Sequence, residues 1–128
     1  MNDLAQVKAA ARKAGFERRK VAFDEQSGGA AGHLSALLAG YRGVPMSGYM
    51  PIRTEIDPLP TMAEAAAYGH VGVPVIVEVD HPLLFSRWEP DAEMKDGPFG
   101  ARIPVVDDFF EPEIMIVPLV AFDRDGGR

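Results

Sequence analysis

Cysteine is absent from the 128 residues, which excludes disulfides, thiolate nucleophiles and cysteine-ligated metal centres. No apolar run approaches the roughly 20 residues needed to cross a bilayer as a helix. The opening Met1-Asn-Asp-Leu-Ala5 lacks the basic-then-apolar layout of a secretory signal. A non-membrane, cytoplasmic protein is the expectation. The three histidines, His33, His70 and His81, are far apart in sequence and have no paired metal-binding spacing. Nucleophile elbow, Walker loop and dinucleotide fingerprint are all missing. The motifs that usually announce a catalytic chemistry are therefore absent.

What remains is an ordinary globular composition, 47% hydrophobic and 25% charged, which excludes a disordered chain. Its length suits one α/β domain over 1–128, able to bury roughly two-thirds of the unfolded surface. The net charge is −6 but unevenly spread. Residues 1–20 hold six basic residues against two acidic ones, and the remainder holds seven against seventeen. An acidic body argues against a nucleic-acid binder, while the basic first segment suits a small anionic ligand.

Leu4, Val7, Ala11 and Ala14 repeat at helical spacing and predict an amphipathic helix over 3–20. Lys8, Arg12 and Arg19 share one stripe of it, either a solvated face or an anion contact. After the flexible Ser27-Gly-Gly-Ala-Ala-Gly32, the spacing of Leu34, Leu37, Leu38 and Tyr41 predicts a second helix ending near Gly40 and Gly43. Met46–Ile52 reads as a strand. Thr61-Met-Ala-Glu64 reads as a capping box opening a third helix that stops at Gly69. Val71–Val79 has the near-continuous apolar pattern of a strand covered on both faces, weakened by Pro74. A short edge strand is expected at Leu83–Trp88, turns from Glu89 to Gly100, and a last buried strand at Glu113–Phe122. This order favours a layered α/β domain with a mostly parallel sheet flanked by helices. Candidate ligand loops fall at residues 50–58, 97–102 and 121–128. The acidic pairs Asp107-Asp108 and Glu111/Glu113 read as solvated loop residues.

Four stretches, in order, resemble the 5-formyltetrahydrofolate cyclo-ligase (methenyltetrahydrofolate synthetase) family. They are Lys8-Ala-Ala-Ala-Arg12 with Arg18-Arg19; Tyr49-Met-Pro-Ile-Arg-Thr-Glu-Ile-Asp57; Phe85-Ser-Arg-Trp-Glu-Pro90 with Pro98-Phe-Gly100; and Val117-Pro-Leu-Val-Ala-Phe-Asp-Arg-Asp-Gly-Gly-Arg128. The resemblance implies an ATP- and Mg2+-dependent ring closure of 5-formyltetrahydrofolate to 5,10-methenyltetrahydrofolate, with ADP and phosphate released. A formamide oxygen leaves poorly, so it is phosphorylated before N10 attacks the activated carbon. That chemistry needs in-line positioning and charge stabilisation at the γ-phosphate.

By the same resemblance Lys8, Arg12 and Arg128 contact ATP, and Met50, Glu55 and Phe99 contact the folate. A carboxylate such as that of Glu55 suits the N–H groups of a pterin-like ring. Glu55 has the alternative reading of a surface acid ahead of a helix, and Met50 and Phe99 are equally core. Trp88 is expected to be core packing. Catalytic groups are not identified, and no metal ligand is expected within the chain. In the family the last stretch continues into a glycine-rich phosphate loop, and Arg128 stands where that loop would open. The expectation is thus a truncated family member lacking the C-terminal part of the fold and impaired in activity. The expected partners are the small-molecule substrates alone, with a monomer or weak self-association through an exposed sheet edge. The alternatives are a non-catalytic folate- or nucleotide-binding remnant, or one half of a two-part enzyme.

Overall fold

A computed structural model describes residues 3–25, 30–98, 100–121 and 123–125. The chain divides into two compact units, 1–27 with 118–128, and 28–117.

In the first unit, an alanine-rich segment forms the helix α1 (Asp3–Glu25), with Asp3 in its first turn, where a carboxylate meets the positive end of the helix dipole. The helix runs five residues beyond the expected end. Its apolar seam is not buried: Leu4 and Val7 are 70% and 63% exposed. Periodicity identifies the face that a partner would cover, but it does not supply the partner. Only Gly15 is buried in α1. Val120 packs there so closely that a Cβ on Gly15 would lie 2.8 Å from its Cγ1.

Among the described residues the second unit holds two α-helices, α2 (Ala30–Leu38) and α3 (Leu59–Ala66), a 3-10 turn at Ala39–Tyr41 and six strands. The strands are β1 (Met46–Ser47), β2 (Val71–Val75), β3 (Leu84–Arg87), β4 (Met94–Asp96), β5 (Arg102–Pro104) and β6 (Ile114–Met115). The main sheet has the order β3-β2-β1-β6. β1 pairs in parallel with β2 and β6, and β3 closes antiparallel on β2, so the sheet is mixed and mostly parallel. α3 is the crossover between the parallel neighbours β1 and β2, the βαβ arrangement that the helix–strand alternation implied. Among the described residues no helix is long and apolar enough to cross a membrane.

Pairing along β1 ends at Ser47, well before the Ile52 expected from sequence. The amides of Met46 and Gly48 reach the carbonyls of His70 and Gly72. Backbone alternation makes residue 74 the next β2 donor toward β1, and Pro74 has no N–H to give. On its other side, β2 continues unhindered against β3 through Val75. Proline therefore shortens one ladder of a central strand without disturbing the other.

The core is Met46, Met62, Val71, Val73 and Trp88, with Leu38, Met50, Leu59, Ile114 and Ile116 packed around it. Trp88 is 6% exposed, in line with core packing, and its amide donates to Val71 O at 2.7 Å. The outer edge of β3 is covered by the 108–110 segment. The Arg87 amide donates to Asp108 O at 2.8 Å, and the Phe110 amide to Phe85 O at 3.0 Å. Such cover removes an open template for strand addition.

Three further local expectations are corrected. The last buried strand expected at Glu113–Phe122 is reduced to β6 (Ile114–Met115), and Val117 and Leu119 beyond it are exposed. Thr61 is not a helix cap: α3 begins two residues earlier, after Pro58, with a second proline at position 60. Proline fits the first helical turn, where its missing N–H breaks no helix bond. Thr61 is buried instead, its hydroxyl 2.9 Å from that of Ser35 on α2. The turn-rich stretch after Glu89 also contains a hairpin, β4 against β5, closed by the Gly97 amide donating to Ala101 O at 3.0 Å. Gly100 takes φ +87° in its loop, a conformation natural to glycine.

Candidate functional site

In open α/β sheets ligands gather beyond the carboxyl ends of the strands. β1 lies between its two parallel neighbours, and the segment leaving its carboxyl end is Tyr49–Asp57. The turn within it is tightly self-braced. The Ile52 amide donates to Glu55 Oε1 at 2.7 Å, and the Glu55 amide donates back to Ile52 O at 3.2 Å. Between them Arg53 adopts φ +56°, a left-handed conformation costing an L-residue about 1–2 kcal/mol. Such a turn persists only when its surroundings hold it. Two further bonds do so. Tyr49 Oη donates to Ile56 O at 2.6 Å, and Asp57 Oδ1 accepts from the Leu59 amide at 2.9 Å, tying the loop to the start of α3.

Glu55 is half-buried on this loop. One of its oxygens serves the loop's own backbone, but a carboxylate offers about four lone-pair sites. Acceptor capacity thus remains for a ligand with several N–H groups. Met50, three residues after the end of β1 pairing, is half-buried and packs against the core cluster. Core contact accounts for its burial. Phe99 and Arg128 lie outside the described residues.

Lys8 and Arg12 stand on α1, both exposed, and among the described residues neither makes an ion pair. The Arg12 guanidinium lies 4.8 Å from the centre of the Phe16 ring, and that of Arg19 lies at the same distance. Cation–π contacts at exposed sites contribute about 0.5–1 kcal/mol. That is enough to hold the guanidinium against the helix and little enough to yield to a phosphate. Sequence reasoning missed Phe16, although its i+4 and i−3 relation to the two arginines is the spacing at which helix side chains meet. Tyr49 was also missed, because nothing local marks a tyrosine whose partner is seven residues away.

Among the described residues no group of three or more His, Asp or Glu side chains is arranged to hold a metal. These residues do not fit a protein-built magnesium site. A concavity apart from the Glu55 loop lies between α2 and α3, with Ser35 and Thr61 inside and Arg42, Glu64 and Tyr68 around it. The Arg42–Glu64 pair (3.7 Å) and the stacking of Arg42 on Tyr68 (5.0 Å) stand at its edge. At about 20 Å³ it has room for a single water.

No protein-family model and no curated protein sequence matches this chain. A solved structure does: the NMR structure of Aquifex aeolicus 5,10-methenyltetrahydrofolate synthetase, with 22% sequence identity and a TM-score of 0.72. The match covers 91% of this chain and 63% of the solved one, so the chain spans less than two-thirds of that protein's length. The resemblance read from four sequence stretches is met in three dimensions: this chain is similar in fold to methenyltetrahydrofolate synthetase over nine-tenths of its length.

Proposed function

We propose that this chain serves the ATP-dependent cyclisation of 5-formyltetrahydrofolate to 5,10-methenyltetrahydrofolate, with release of ADP and phosphate. The observation that carries this reading is the fold match to a methenyltetrahydrofolate synthetase over 91% of the chain. The braced Glu55 loop at the carboxyl end of β1 adds support, since it presents an acceptor where such sheets take ligands. In this proposal Glu55 accepts from the pterin N–H groups, and Met50 and Phe99 line the folate. Lys8 and Arg12 neutralise ATP phosphates, with Arg128 joining them, and the site of action is the cytoplasm. Magnesium, which the family resemblance attaches to the nucleotide, would rely on ligands beyond the described residues.

Turnover of 5-formyltetrahydrofolate, followed through the absorbance of the methenyl product, tests the proposal. Product formed only when ATP is present supports it. Tight folate binding without turnover supports the non-catalytic alternative, and absence of both folate binding and turnover refutes it.

Two variants separate the roles. Lys8→Ala with Arg12→Ala should weaken ATP binding by at least about tenfold, as loss of charge-assisted contacts does, and leave folate binding unchanged. The ATP difference should shrink as salt rises. A loss confined to folate would refute the phosphate assignment. Glu55→Gln should weaken folate binding by at least about tenfold, the scale of a charged hydrogen bond. Glutamine keeps an oxygen for the Ile52 amide, so this variant removes the charge and leaves the turn in place. Equal folate affinity in calorimetry would dismiss Glu55 as the acceptor.

A further inference from the structure

Resting on the folate reading above, we infer that Tyr49 is a positioning residue, whose hydroxyl aims Glu55 at the ligand without touching it. Tyr49 leaves β1 two residues after the last paired position, Ser47, and its hydroxyl donates to Ile56 O across seven residues at 2.6 Å. Glu55 immediately precedes that carbonyl. The left-handed Arg53 and the reciprocal Ile52–Glu55 bonds form the tip of the same turn. Three constraints thus converge on one side chain: the turn bonds from one side, the Asp57 bond to α3 from the other, and the Tyr49 bond across the base. Of the three, only the Tyr49 bond joins the loop's end to its beginning at the sheet. Without it the turn can swing as a unit while its internal bonds survive, and a carboxylate displaced by even an ångström loses aligned hydrogen bonds.

Tyr49→Phe removes the hydroxyl and keeps the ring. Titration calorimetry with 5-formyltetrahydrofolate should show affinity about tenfold lower, and amide exchange at Ile52 should quicken because the turn opens more often. The decisive comparison is the double variant. If Tyr49 acts through Glu55, adding Tyr49→Phe to Glu55→Gln changes affinity no further. A general loss of structure would instead add in both backgrounds, so the cycle decides even if Tyr49→Phe lowers the melting temperature. Wild-type affinity in Tyr49→Phe, or full additivity with Glu55→Gln, would overturn the inference and leave the folate reading standing. Wild-type protein that fails to bind 5-formyltetrahydrofolate would overturn that reading, and the inference with it.

Discussion

Replacing Trp88 with alanine is expected to remove about 3–5 kcal/mol of stability, the usual cost of truncating a buried tryptophan. Among the described residues Trp88 is the one large aromatic in a central cluster otherwise made of Met46, Met62, Val71 and Val73. It sits just past β3, where its amide closes the last rung onto Val71. The cavity would open against β2, the strand that pairs with both β1 and β3. Small domains have only about 5–15 kcal/mol in total, so a large part of the folded margin would go. Urea unfolding followed by far-ultraviolet circular dichroism is the suitable measurement, since the variant has no tryptophan fluorescence. The midpoint should fall by on the order of 2 M. A shift below about 0.5 M would mean that the cluster is not the core described above.

Gly72→Val is expected to destabilise by about 3 kcal/mol or more, for the opposite reason. Gly72 is buried in β2, and a Cβ there would overlap the Phe110 ring and lie 2.6 Å from Ser86 O. The ring could turn aside. Ser86 has less freedom: it is paired with Val73 in the β2–β3 ladder, and its side chain accepts from the Asp108 amide at 3.1 Å. The added side chain must therefore separate β2 from β3 or expel the 108–110 segment. Gly40→Ala is the natural control, because nothing lies within 4 Å of a Cβ at that position, and it should be neutral or slightly stabilising. Similar thermal midpoints for the two variants would show that the close approach at Gly72 is not real.

The two variants also show why some of the fold was legible in the sequence and some was not. Val71–Val79 announced a covered strand by its near-continuous apolar run, of which β2 keeps Val71–Val75 and leaves Val77 and Val79 exposed, and Trp88 announced core by its size. Gly72 announced nothing, because its role is to let Phe110 and Ser86 approach, and both come from elsewhere in the chain. The β4–β5 hairpin was hidden for another reason: strands of three residues are too short to display a period of two. Thr61 misled because a capping box is a local pattern, and the prolines at 58 and 60 with the Ser35 hydroxyl offered a better arrangement. Glu55 and the α1 cations were named as candidates by resemblance, whereas the Tyr49 bond and the Phe16 contacts emerged only from the geometry.

What the sequence determined by itself is what local chemistry controls: the places of the three α-helical segments, the apolar central strands, the absence of thiol chemistry, and the ordered stretches that resemble a folate-dependent ligase. Tertiary structure alone decided the strand order, the early end of β1 pairing opposite Pro74, the exposure of the α1 seam and the bracing of the Glu55 turn. The physical reason is range. Periodicity and caps arise among residues a few positions apart, whereas ladders, close approaches and braced turns join groups whose separation in the chain carries no local signal.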